Sequence, residues 1–358
     1  MEGPDTIVNV RFTPPVAALQ RVRGPHPLPL FLSIAAEVTA GDTAQLARVL
    51  AGVRRYQAHD AVRTLPPMPE VARMGSVCLR DYGGSGPTVV AVPSLINPPY
   101  VLDLAAGNSL LRWLATQGLR LMLVDWGTPG AEELGLDLEG YVAQRLVPLI
   151  GGLPAPPALL GYCLGGTLAL AAAALVPVTR LALLAAPWHF TGYGDDARAG
   201  MAVLWESIQP IAAALGSVPM ELLQPAFWQL DPAALVAKYA RLADADPAAM
   251  TAFAALEDWA NAGPPLPLGV AASLFERLYA ADLPGRGDWH VGTKRIDPAA
   301  LGVPVIDIVS TVDRIVPATA AAGVGARLEL DLGHVGMVVG SRARAQLWEP
   351  LAAWLRSA

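Results

Sequence analysis

From Val77 onward the chain alternates short apolar runs with longer stretches of helical period. Thr88 to Val92, Leu119 to Val124, Ala158 to Tyr162, Leu181 to Ala185, Val303 to Val309 and Arg327 to Leu330 each have the length and residue types of a buried strand. Strands separated by helical segments predict an α/β fold, with a mostly parallel sheet flanked by crossover helices. Between Trp188 and about Trp289 the strand signal stops, and helical segments carrying Met201, Trp205, Met220, Phe227, Trp228, Phe253, Trp259 and Phe275 replace it. An insertion of that size between core strands reads as a helical cap, whose large apolar residues first of all fill its own core. Residues 1 to about 75 carry scattered prolines and one amphipathic stretch, Thr43 to Ala58, with Leu46, Val49, Leu50 and Val53 on one face. The expected organisation is an N-terminal accessory arm over 1–75, the first part of the sheet core over 76–187, the cap over 188–289 and the second part of the core over 290–358.

Composition narrows this picture. At about 150 residues per domain, 358 residues allow two domains, or one α/β domain with an insertion. The chain is 53% hydrophobic and 16% charged, enough to bury a large core. Its 25 Lys plus Arg against 31 Asp plus Glu give a net charge of -6, which argues against nucleic acid as a partner. The amino terminus shows no basic start and apolar core of a secretory leader, and the Ala-rich run from Cys163 stops at Pro177, short of the ~18 apolar residues of a spanning helix. A cytoplasmic location is expected. Two cysteines, Cys78 and Cys163, are too few for a disulfide framework.

The sharpest local signal is Gly161-Tyr162-Cys163-Leu164-Gly165-Gly166, set between an apolar strand and a helical run. A nucleophile elbow needs small residues around a tight strand-to-helix turn, and Gly161 and Gly165 supply them, with Cys163 in the nucleophile's place. The turn puts Cys163 at a helix amino terminus and makes the Leu164 N–H a candidate oxyanion donor. A structural cysteine beside a glycine-rich turn is the competing reading. A cysteine nucleophile needs a base, and the chain order nucleophile, acid, histidine selects His334, in a loop after the last strand, and Asp313, in the loop after Val303 to Val309. His26 and His59 read as surface residues, and His189 and His290 flank the cap. Asp307 lies inside a strand, Asp331 is too close to His334, and Asp125 ends a much earlier strand.

Several segments resemble the polyhydroxyalkanoate synthases. Gly161 to Gly166 resembles their elbow, though equally that of dienelactone hydrolases. The run from Ile96 to Leu104 resembles the synthases' INxxYxLDL segment, and Asp125-Trp126-Gly127-Thr128-Pro129 their DWGxP segment. Leu256-Glu257-Asp258-Trp259, Val312 to Pro317 and Gly333 to Gly336 match in order, and the length is similar to that of the short type III catalytic subunits. The resemblance implies an α/β-hydrolase fold that polymerises (R)-3-hydroxyacyl-CoA, with Cys163, Asp313 and His334 as the catalytic triad. It also implies a loop N–H of Leu95 or Ile96 as a further oxyanion donor. It implies no cofactor beyond the CoA thioester substrate; as partners it implies a second synthase subunit, the polyester granule surface and a homodimer. Arg314, where the family usually has His, and Ala281, where it often has Asn, depart from the pattern.

Transfer of an acyl group from a CoA thioester to a thiol is nearly balanced in energy, so the acyl group stays activated for attack by a hydroxyl. A cysteine nucleophile thus suits chain growth. The alternatives are a cysteine-dependent ester or thioester hydrolase and a non-catalytic granule-associated protein. The fate of the acyl group separates polymerase from hydrolase.

Overall fold

The computed structural model describes residues 23–60 and 63–357. Part of the expected arm, residues 1–22, lies outside the described residues. Eight strands form one sheet: β1 (Glu70–Met74), β2 (Val77–Gly83), β3 (Thr88–Val92), β4 (Arg120–Asp125), β5 (Ala158–Tyr162), β6 (Arg180–Leu184), β7 (Val305–Ser310) and β8 (Ala326–Leu330). Their order is β1-β2-β4-β3-β5-β6-β7-β8. The pairs β1/β2 and β2/β4 are antiparallel and all others parallel. The six expected strands are present with ends moved by two residues or fewer. The hairpin of β1 and β2 is an addition, and it begins ahead of the boundary expected at residue 76.

Alternation along the central strands explains the layering. Val90, Val92, Leu159, Leu181 and Leu183 belong to one buried cluster, while Val89, Ala91, Leu160, Ala182 and Leu184 belong to a second. Successive side chains point to opposite faces, so each strand feeds two cores. One helix, Leu164–Ala173, follows β5 directly and is buried on nearly every side, which is why its sequence lacks a polar face.

Between β6 and β7 run four longer helices, Asp195–Leu215, Met220–Gln229, Pro232–Leu242 and Pro247–Ala260. Their large residues mostly pack inward: Trp205 stacks on Phe275 at 5.0 Å, and Trp228 and Phe253 join a third core. The other half of that core comes from helices Leu28–Thr39 and Thr43–Gln57, through Phe31, Val49, Val53 and Tyr56. The contact is close enough that a Cβ on Gly52 would meet the Tyr239 carbonyl oxygen at 1.9 Å. No helix among the described residues is long and apolar enough to cross a membrane.

Candidate active site

Cys163 sits between β5 and the helix Leu164–Ala173, with φ at 55° and ψ at -135°. A non-glycine residue there is strained, and the surroundings hold it. Its N–H donates to the Leu184 carbonyl at 3.0 Å, and its carbonyl accepts from Gly166 N–H at 2.8 Å. The flanking glycines are needed for space. A Cβ on Gly161 would meet Gly166 Cα at 2.4 Å, on Gly165 the Val92 and Pro93 carbonyl oxygens at 2.2 and 2.3 Å, and on Gly166 the Ala186 Cβ at 2.2 Å. Gly161 and Gly165 were expected from the motif; Gly166 was not singled out.

Asp313 and His334 meet beside this turn. His334 Nδ1 lies 2.6 Å from Asp313 Oδ2, with side-chain exposures of 6% and 0%. Asp313 Oδ1 accepts from the Ile315 and Val316 N–H groups at 2.7 and 3.0 Å, which fixes the carboxylate. Cys163 is near enough to His334 to interact with it electrostatically. The His334 ring stacks on Tyr162 with centroids 5.1 Å apart, and the Tyr162 hydroxyl donates to the His334 carbonyl at 3.3 Å. Burial by itself pulls the imidazole pKa down, but interactions with Cys163 and Asp313 outweigh it and push it up to about 10. The ring is expected to stay protonated through neutral pH, with a nitrogen NMR titration midpoint near 10. In Cys163→Ala the burial remains and the largest raising interaction is gone, so the midpoint should fall. A midpoint near the ordinary 6.5 in the unaltered protein would contradict the geometry.

Of the three candidate oxyanion donors, the Leu164 N–H opens a helix and so has no intrahelical acceptor. Leu95 is buried in the loop after β3. The Ile96 N–H already donates to Ser94 Oγ at 3.2 Å.

The competing acids are occupied elsewhere. Asp331 pairs with Arg342 at the surface and Asp125 with Arg80. Asp307 is buried, accepts from Gly323 N–H at 2.7 Å through Oδ2, and leaves Oδ1 without a partner among the described residues. Burial raises its pKa. A carboxyl whose folded pKa is raised loses stability as pH rises from its unfolded value through the folded one. Asp307→Asn is therefore expected to become less costly, or stabilising, on going from about pH 3.8 to neutral, as denaturant melts at the two pH values would show, with turnover within about threefold of normal. Among the histidines, His290 is exposed, while His26, His59 and His189 are half-buried.

Two features escaped the sequence reading. Asp282, at φ 49°, is buried and accepts from the Phe190 and Thr191 N–H groups, the Thr191 hydroxyl and the Gly285 N–H. An isolated Asp beside a turn carried no sign of this. Arg314, the residue that departs from the family pattern, pairs with Asp231 at the start of the helix Pro232–Leu242.

Comparison with known proteins adds to this geometry. No protein-family model matches the chain. It is 29% identical over 284 residues to the poly(3-hydroxyalkanoate) polymerase subunit of Haloferax mediterranei, covering 74% of this chain and 58% of that one. Against the subunit of the same description from Synechocystis it is 28% identical over 290 residues, covering 75% and 77%. By sequence, the chain is similar to the poly(3-hydroxyalkanoate) polymerases. It spans 58% of the Haloferax polymerase subunit and 60% of the Haloarcula marismortui one. Among solved structures, a hydrolase from Pseudomonas aeruginosa PA01 aligns with a TM-score of 0.50 at 16% identity, covering 81% of this chain and 98% of that one. The fold is that of the α/β-hydrolases, and the polymerase likeness is carried by sequence.

Proposed function

We propose that the protein is an acyltransferase that polymerises (R)-3-hydroxyacyl-CoA into polyhydroxyalkanoate, releasing CoA, with Cys163, His334 and Asp313 as its triad. The observation that carries this reading is the strained Cys163 turn beside a His334 bonded to Asp313, in a chain similar in sequence to the polymerases. The Cys163 sulfur attacks the thioester carbonyl as a thiolate. The carbon–sulfur bond to CoA breaks, and the departing CoA thiolate takes the proton that His334 holds. A 3-hydroxyl then attacks the acyl-cysteine; His334 accepts its proton as the ester forms and Cys163 leaves as thiolate. Asp313 holds the tautomer and stabilises the imidazolium. The N–H groups of Leu164 and Leu95 stabilise the oxyanion in both steps, and Leu95 is preferred to Ile96 because the latter's N–H is engaged.

A second synthase subunit, a homodimer and the granule surface belong to the same proposal. The test is to mix the protein with (R)-3-hydroxybutyryl-CoA, quench, and read acyl mass on its peptides. Burial pushes the Cys78 thiol up to about 11, so acyl mass is expected on Cys163 alone. Acylation of Cys78, or of neither cysteine while CoA is released, would remove the basis of the proposal.

A further inference from the structure

Three of the segments that resemble the synthases converge on one loop, and the proposed chemistry leaves their side chains unexplained. The loop runs from Pro93 to Pro98, between β3 and a short helical turn at Pro99–Leu102, and it carries Leu95. It has no ladder or helix of its own, so side chains from elsewhere satisfy its carbonyls. Trp126 Nε1 donates to the Pro93 carbonyl at 3.0 Å, at one end of the loop. At the other end Trp259 Nε1 donates to the Pro98 carbonyl at 2.8 Å. Between them Asn97 Nδ2 reaches out to the Ala260 and Ala262 carbonyls at 3.3 and 3.2 Å. The two backbones run so close that a Cβ on Gly263 would meet the Ile96 carbonyl oxygen at 2.7 Å. The loop also borders a cleft of about 350 Å³, which Leu95, Asn97 and Pro98 help to line.

Oxyanion stabilisation depends on distance, since a donor must sit within a few tenths of an ångström of its place when the charge develops. We infer that Asn97 and Trp259 are positioning residues: they clamp the end of the inserted helix Pro247–Ala260 to the 93–98 loop and so fix the Leu95 N–H for the oxyanion. The clamp has its own anchor. Asp258, next to Trp259, accepts from Arg23 Nη2 at 2.7 Å and from the Tyr56 hydroxyl at 2.9 Å, while Glu257 takes Lys238 and the Tyr239 hydroxyl. The N-terminal segment thereby reaches the candidate active site through Asp258, Trp259 and Pro98, without touching the triad.

The inference rests on the proposed acyl transfer, so its test uses a reaction that needs only a Cys163 nucleophile: single-turnover acylation by p-nitrophenyl acetate, read by mass on Cys163. Asn97→Asp turns a donor into an acceptor facing two carbonyl oxygens, and Trp259→Phe keeps a ring but loses the N–H. Removing an oxyanion donor costs about 10²–10³-fold, so displacing one should slow acylation about tenfold, with the half-saturating ester concentration unchanged. Alkylation of Cys163 by iodoacetamide develops no oxyanion and should proceed at the unaltered rate in both variants. Asn97→Ala, which introduces no repulsion, gives the same readings if Asn97→Asp or Trp259→Phe fails to fold. Acylation at the unaltered rate in the variants overturns the positioning role, as does a parallel loss of alkylation, which marks general damage to the site. Absence of Cys163 acylation in the unaltered protein instead overturns the acyl-transfer reading beneath it.

Discussion

Cys163→Ala is expected to cut CoA release from (R)-3-hydroxybutyryl-CoA by at least about 10³-fold, since the group that forms the covalent bond is gone. The fold should survive. The strained φ at this position is set by the close glycines and by the hydrogen bonds of the Cys163 N–H and carbonyl, and alanine keeps both backbone bonds and the same Cβ. Circular dichroism should match the unaltered protein, and iodoacetamide labelling under native conditions should disappear, because Cys78 is buried with its thiol pushed up to about 11. Full activity in the variant would end the assignment of Cys163. A misfolded Cys163→Ala protein is answered by Cys163→Ser, which restores a polar atom of nearly the same size.

Asp313→Asn and His334→Gln are each expected to lose about 10³–10⁴-fold in turnover, and the double variant little more than either single one. The reason is that in the proposed mechanism the three side chains act as one unit: Cys163 interacts with His334, and His334 Nδ1 lies 2.6 Å from Asp313 Oδ2. An amide at position 313 can still accept the Ile315 and Val316 N–H bonds through its carbonyl, so the loop should persist while the imidazole loses its charged partner. Steady-state rates of the four proteins form the measurement. Multiplying losses would mean that His334 and Asp313 act separately.

The elbow was legible because its requirement is local. A strand, a tight turn and a helix in sequence call for small residues at fixed positions, and Gly161 and Gly165 occupy them where an added Cβ would meet neighbours at about 2–3 Å. His334 and Asp313 followed from chain order, and the structure brings them together. What local pattern could not show lies between distant segments. The β1/β2 hairpin was hidden by its charges, since Glu70, Arg73, Arg80 and Asp81 interrupt the apolar alternation, and all four are held in ion pairs. The helix Thr43–Gln57 was expected, but not its shared core with the inserted helices, which forms across nearly 200 residues of chain. Tyr56 faces Asp258 and Trp259 faces Pro98 for the same reason: each residue reads as ordinary packing until its partner is known. The large apolar residues of the insertion fill cores, as expected of a cap: Trp205 stacks on Phe275, and Trp228 joins the third core.

The central claim is that the acyl group leaves Cys163 for a hydroxyl and not for water. The direct measurement is the product formed when the purified protein, alone and with a second synthase subunit, consumes (R)-3-hydroxybutyryl-CoA. Released CoA is counted by its thiol, soluble 3-hydroxybutyrate by chromatography, and insoluble polyester by recovery and methanolysis. The account predicts that CoA release is matched by 3-hydroxybutyrate units in polyester, with little free acid. Free 3-hydroxybutyrate equal to the CoA released, under both conditions, would contradict it and make the protein a thioester hydrolase.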